Sequence, residues 1–199
     1  MKRVLLIGAT GPVGRVAAAA LAHHEVIRAG RHSGDVRADL GDAGSLRQMF
    51  AEVGVIDAVV CCAGSAAFAP LPEMTEALFL KGLTGKLMGQ VNLVLLGLPK
   101  VRDGGSFTLT SGSLDRYPVR SGANAAAINA GLSGFVRAAV LDMPRGIRIN
   151  VVSPTVLEES AAKLAPLLPG HEPVSAARVG LAYVKSVDGA LTGETICVG

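Results

Sequence analysis

GATGPVGR, Gly8 to Arg15, sets three glycines at G-x-x-G-x-x-G spacing directly after the apolar run VLLI (Val4–Ile7). That pattern suits phosphate binding. Glycine at Gly8 permits a tight turn, at Gly11 lets the backbone approach a pyrophosphate, and at Gly14 lets a helix pack close to a sheet. Pro12 fits a first helical turn, where no N–H is needed, and the amides around it face the phosphates. Thr10 and Val13 complete the loop. The motif points to a dinucleotide; a merely tight turn is the plainer reading. An acid about 20 residues further on would bind the ribose 2′-hydroxyl of NAD. Here the next apolar stretch ends in AGRHSG, which puts Arg31 there with His32 and Ser33 beside it. A guanidinium matches a 2′-phosphate in charge and fork geometry, so NADP is expected ahead of NAD.

Other reactive side chains are isolated. Cys61, Cys62 and Cys197 lack paired ligand spacing, and adjacent cysteines do not readily bridge. They read as thiols of a reduced cytosol, and no metal is expected. Cys62 is either a nucleophile or a packed thiol at a strand end. Tyr117, in SLDRYPVR, either swings inward from its loop or sits on the surface, and His171, in LPGHEP, is by default a solvated loop residue.

Positioning these groups falls to alternating strand and helix patterns. Strands are expected at Val4–Ile7, Glu25–Ala29, near Asp35–Arg37, and at Asp57–Cys61, Ser106–Thr110, Arg148–Val152 and Glu194–Val198. Helices are expected at Val13–His23, Ala43–Val53, Pro72–Leu98 with breaks near Gly82 and Gly85, Ser121–Met143, and Ser175–Val187. This is an α/β chain: a doubly wound parallel sheet with helices on both faces, in one domain over 1–199. Ligands of such sheets bind beyond the carboxyl ends of the strands.

Taken together, GATGPVG, ADL (Ala38–Leu40), DAVVCCAG, GGSFTLTSG, RGIRINVVSPT and LTGETICVG resemble the short-chain dehydrogenase/reductase family, in order along nearly the whole chain. The resemblance implies a Rossmann-type sheet of about seven strands. It implies that Asp39 and Leu40 lie near the adenine, that Cys62, Ala63 and Gly64 run along the cofactor, and that Pro154, Thr155 and Val156 flank the nicotinamide. It also exposes departures. The family carries a Tyr-x-x-x-Lys pair on the helix that is here SGANAAAINAGLSGFVRA, where Ala125 and Asn129 stand at the matching positions. Alanine has no proton to give, and asparagine hydrogen-bonds without charge. The family's serine matches Ser111 or Ser113. Its helical asparagine matches Lys86 by count, or Asn92 after a shift of about six residues. Either Lys86 brings an ammonium toward the missing lysine's place, or it snorkels on a helix surface. Ser111, Lys86 and Asn129 are the expected catalytic set, with Tyr117 in reserve.

Composition bounds the rest. Charged residues at 18% and a formal net charge of +3, without a basic run, do not announce nucleic acid. The four-residue run VLLI is too short for a signal or membrane core, so a soluble cytoplasmic protein is expected. In the helix Ser121–Met143, Ala125, Ile128, Leu132, Phe135 and Ala139 keep core spacing, while Ala123, Ala127, Ala130, Gly131, Gly134 and Ala138 would let a second helix approach. With Leu83–Leu98, that face suggests a homodimer or homotetramer. The expected function is NADP-dependent reduction of a small carbonyl, or oxidation of an alcohol, through a non-standard site. The alternatives are a catalytically silent NADP(H)-binding regulatory module, or another reaction on a bound nucleotide.

Overall fold

A computed structural model describes residues 1–199. Seven strands form one sheet: β1 (Arg3–Ile7), β2 (Glu25–Gly30), β3 (Val36–Arg37), β4 (Ile56–Cys61), β5 (Val101–Thr110), β6 (Arg148–Pro154) and β7 (Thr195–Val198). Their order is β3-β2-β1-β4-β5-β6-β7, and every neighbouring pair is parallel. The chain runs outward from β1 to β3, then returns to lay β4 on the other side of β1. The switch in direction opens a crevice between the ends of β1 and β4, where Ile7 pairs with Cys61.

Successive strand residues point to opposite faces, and both faces are covered, so the central strands are apolar on both sides over most of their length. On one face Leu5, Ile7, Val59, Phe107, Leu109 and Ile149 pack beneath helices α2 (Ala43–Val53), α4 (Gly89–Gly97) and α5 (Ala123–Ala139). On the other, Val4, Leu6, Ala58, Val60 and Val152 pack beneath α1 (Pro12–Ala20) and α7 (Ala176–Asp188), which contribute Ala17, Val179, Tyr183 and Val187, with Leu21 just past the end of α1. At the amino ends of the strands Lys2 Nζ donates to Asp188 at 2.8 Å, and the Nε2 atoms of His23 and His24 lie 3.0 and 2.9 Å from the same carboxylate. Partial burial pushes the Asp188 carboxyl up, but the hydrogen bonds from Lys2, His23 and His24 outweigh it and hold it at about 2. No helix is long and apolar enough to cross a membrane.

Several boundaries differ from the sequence expectation. The first helix ends at Ala20, so His23 lies outside it. Strand β5 starts at Val101, through an irregular pairing with β4 that Gly104, at φ 71°, makes possible. The expected helix over Pro72–Leu98 is four pieces: a 3-10 turn at Leu71–Glu73, α3 (Glu76–Gly82), a π-helical segment at Leu83–Met88, and α4. Gly82 and Gly85 therefore mark a change of winding rather than a break. Helix α5 starts at Ala123 because Ser121 takes φ 62°, and it ends in a 3-10 turn at Val140–Asp142. A short helix α6 (Glu158–Leu164) was not expected; seven residues give too little periodicity to register.

Candidate active site

The crevice is built first by glycines. Gly8 has φ 83°, and a Cβ there would stand 2.8 Å from the Cβ of Ala63. A Cβ on Gly14 would overlap the carbonyl oxygen of Gly8, so only glycine lets α1 sit this close to β1. Gly11 differs: a Cβ there would meet nothing nearer than 3.6 Å. The protein itself leaves that space open, in front of first-turn amides of α1 that have no partner within the helix.

Two adjoining cavities follow, with Ala63 and Gly64 as a common wall. The first, about 690 Å³, is lined by Gly8, Thr10, Arg31, His32, Ser33, Asp39 and Leu40, with Lys81 and Thr84 opposite. Arg31 is exposed; its Nε donates to His32 Nε2 at 3.1 Å, and its terminal amino groups have no partner. The Asp39 carboxylate accepts from the backbone N–H of Gly41 at 3.0 Å, which fixes the turn after β3. The second cavity, about 430 Å³, holds Gly11, Pro12, Val13, Cys62, Pro154, Thr155 and Val156, together with Lys86, Ser111, Ala125 and Asn129.

At its centre Lys86 projects from the π segment, its stem laid along Gly64. A Cβ on that glycine, which has φ 115°, would stand 2.7 Å from Lys86 Cγ. The Lys86 ammonium donates to the carbonyl oxygen of Ser111 at 3.1 Å and to Asn129 Oδ1 at 3.3 Å. Three donors and two acceptors leave one N–H for the cleft. Burial pushes the Lys86 pKa down to about 8. The Ser111 hydroxyl is buried and has no hydrogen-bond partner. An orphaned hydroxyl is costly unless something satisfies it, and Ser111, whose carbonyl oxygen holds the Lys86 ammonium, lines the second cavity. Such a pair can hold and protonate an oxygen.

Some expected residues behave otherwise. Tyr117 is 53% exposed and lies outside both cavities; its backbone oxygen faces His171 Nε2 at 3.1 Å and its ring meets the His171 ring edge-on. The Thr155 hydroxyl donates to the carbonyl oxygen of Glu172 at 2.9 Å, so its proton is already committed. Burial pushes the Cys62 thiol up to about 11, which makes it a packed thiol rather than a nucleophile. Asn92 is absent from the cleft lining, and Lys86 is present.

Other residues that hold the site were not anticipated. Gln90, wholly buried, donates to the Thr110 carbonyl oxygen at 2.9 Å and accepts from its N–H at 2.8 Å, locking α4 to the end of β5 just before Ser111. Thr110 Oγ1 donates to the Cys61 carbonyl oxygen and lies 2.7 Å from the buried Tyr183 hydroxyl. Asn124 accepts from Ala67 N–H at 2.8 Å and donates to the Phe79 carbonyl oxygen at 2.9 Å, pinning the start of α5 to α3 and to the loop after β4. The one signal in the sequence was an amide inside an apolar helix, as in GQVNLVLLG: a buried amide must find partners.

Comparison with known proteins agrees with this fold. The model of a family described as enoyl-(acyl carrier protein) reductase matches residues 12–182. The solved structure of the protein lin1944 from Listeria innocua is 48% identical, with a TM-score of 0.98 and full coverage of both chains. A small-chain dehydrogenase is 27% identical with a TM-score of 0.84, over 98% of this chain and 95% of that one. A small-chain dehydrogenase in complex with NADPH is 25% identical with a TM-score of 0.85, over the same shares. No curated protein matches the chain.

Proposed function

The chain belongs to the short-chain dehydrogenase/reductase family, and from that premise we propose that it is an NADP-dependent oxidoreductase that interconverts a small carbonyl compound and its alcohol. The cleft suits the cofactor on three counts. Gly11 leaves room for a pyrophosphate, Arg31 offers an uncommitted guanidinium fork, and the two cavities adjoin at Ala63 and Gly64, so one ligand with two ends could fill both. Gly8, Thr10, Gly11, Pro12, Val13 and Gly14 would hold its phosphates, Arg31, His32 and Ser33 its 2′-phosphate, and Asp39 and Leu40 its adenosine. Cys62, Ala63, Gly64, Pro154, Thr155 and Val156 would flank the nicotinamide end. When bound, the reduced nicotinamide supplies a hydride to the carbonyl carbon.

What carries the catalytic assignment is the Lys86 ammonium at hydrogen-bond distance from Asn129 Oδ1 and from the carbonyl oxygen of Ser111, the residue whose hydroxyl is left unpartnered. Ser111 donates to the substrate oxygen and orients it. Lys86, directly or through a water, delivers the proton that turns the developing alkoxide into a hydroxyl, and the amine left behind is reprotonated from solvent. Asn129 holds the ammonium in place, so an ammonium from the π segment does the work of a base-helix pair that Ala125 and Asn129 do not form. The small outward residues Ala123, Ala127, Ala130 and Ala138 of α5 are exposed, which supports a homodimer or homotetramer built on that helix. NADPH consumption measured against a panel of aldehydes and ketones tests the assignment. Turnover is expected, and Ser111→Ala should reduce it about 100-fold by loss of the orienting donor. Unchanged turnover in that variant would remove Ser111 from the mechanism.

A further inference from the structure

The second cavity has two unlike walls. On the inner side stand Lys86, Ser111 and Asn129; on the outer side stand Phe68, Leu114, Leu157, Leu164, Leu167 and Leu168. The last three continue the spacing of Ser160 in α6 and the turn after it, at i+4, i+7 and i+8, so one stripe faces the cleft. Glu158, Glu159 and Lys163 of the same helix are exposed instead. The leucines of this stripe belong to neither packed layer of the sheet. Leu164 and Leu168 are half-buried and Leu167 is 37% exposed, so apolar surface is held at the cleft with nothing of the chain's own to cover it. A further hollow of about 300 Å³ lies under α6, between Val156, Ala161, Leu168 and Pro173, so the helix stands off the body of the domain.

Charge points the same way. Lys86 is the single charged side chain lining the second cavity, and its ammonium already serves Ser111 and Asn129. With the reacting oxygen on the remaining N–H of Lys86, a carboxylate or phosphate elsewhere on the substrate would find no second cation there, and would have to lose its hydration against leucine.

Resting on the oxidoreductase reading above, we propose that the substrate is an uncharged aldehyde or ketone, or the matching alcohol, whose hydrocarbon body packs against Phe68 and the Leu164, Leu167 and Leu168 stripe. Its oxygen points to Ser111 and Lys86, and its apolar tail points outward to α6. Chain length then sets affinity, because each methylene removed from water against the stripe strengthens binding about fourfold.

The test separates binding from turnover. Straight-chain methyl ketones from butan-2-one to nonan-2-one are titrated calorimetrically into the protein saturated with NADP⁺, a pair that cannot react, alongside keto acids of equal length. Dissociation constants are expected to fall about fourfold per methylene until the cavity is full, with each keto acid at least about tenfold weaker than the ketone of its length. Leu164→Gln and Leu168→Gln should flatten the series while leaving NADP⁺ affinity within about twofold, which also shows that the variants fold. A flat series in the wild type, or keto acids that bind as well as ketones, overturns the proposal. The same ketones with NADPH give the second readout. Length-dependent binding without hydride transfer keeps the apolar site and removes the oxidoreductase reading, whereas turnover that ignores length does the reverse.

Discussion

Replacing Lys86 by methionine keeps the length and apolar stem that lie along Gly64 and removes only the ammonium. With its pKa at about 8, Lys86 is about 90% ammonium at pH 7 and about 10% at pH 9. If that ammonium is the acid, carbonyl reduction in the wild type should fall about ninefold between those pH values, on a limb with its midpoint near 8. Lys86→Met should cost about 100- to 1,000-fold at pH 7, the usual worth of a general acid, and should lose the limb altogether. Lys86→Arg restores a positive charge that cannot be given up in this range, so it too should be slow and flat. The assay is initial NADPH oxidation from pH 6 to 9.5, with NADPH affinity measured by fluorescence titration at each pH. Retention of near wild-type turnover by Lys86→Met, or survival of the limb at pH 8 in that variant, would refute the reasoning. The proton would then come from elsewhere.

Four other outcomes are expected. NADPH should bind at least about tenfold more tightly than NADH, about 1.4 kcal/mol, and Arg31→Asp should erase or reverse the preference in titrations at fixed salt. Gly14→Ala, which forces a Cβ into the Gly8 carbonyl, should lower unfolding stability by about 2 kcal/mol or more and abolish NADPH binding, as read by denaturant titration with and without cofactor. Asp188 has its folded pKa held at about 2 against an ordinary 3.8, so its stabilisation is complete above pH 4 and is lost as pH falls through 2. Asp188→Asn should therefore melt lower than the wild type at pH 6, and the gap should close as pH drops from 4 to 2. Ala130→Glu, on the exposed face of α5, should convert a dimer or tetramer to monomer in light scattering without changing the circular dichroism spectrum. A wild type that is itself monomeric at micromolar concentration would remove the assembly proposal.

The sheet was legible because a strand buried on both faces leaves a mark that survives without context: VLLI, the AVVC of DAVVC and the VV of RINVV are short continuous apolar runs. The glycine loop was legible because each glycine answers a different steric demand, and Gly8 and Gly14 meet theirs against the chain's own backbone. Ser111 follows from its place at a strand end. Lys86 came from counting alone, and whether it snorkelled or turned inward depended on the π segment, which no periodicity announces. Gln90, Thr110, Tyr183 and Asn124 were hidden for a different reason. Their partners lie between 20 and 73 residues away, so the bonds exist only once the sheet has brought distant segments together. Tyr117 shows the converse: proximity to Ser111 in sequence put its phenol near the site, and the loop carries it outside.

A π turn packs more residues into a given rise than an α turn does, so Leu83–Met88 stores a register step between α3 and α4. Gly85 is where that step could be cut, since a Cβ there would meet nothing within 4 Å. Deleting it with the rest of the winding kept would turn one flank relative to the other by about the angle that one residue spans, about 100° in an α-helix. The downstream flank is not free to turn: Gly89 sits against Leu40, and both ends of the Gln90 amide are held by Thr110. The rotation would fall on α3, drawing Gly82 away from Asn124 and loosening the loop that carries Phe68. The helix on either side of the step is therefore two inheritable parts. One half anchors the Lys86 ammonium, and the other can be recut to reshape the mouth of the cleft without moving it.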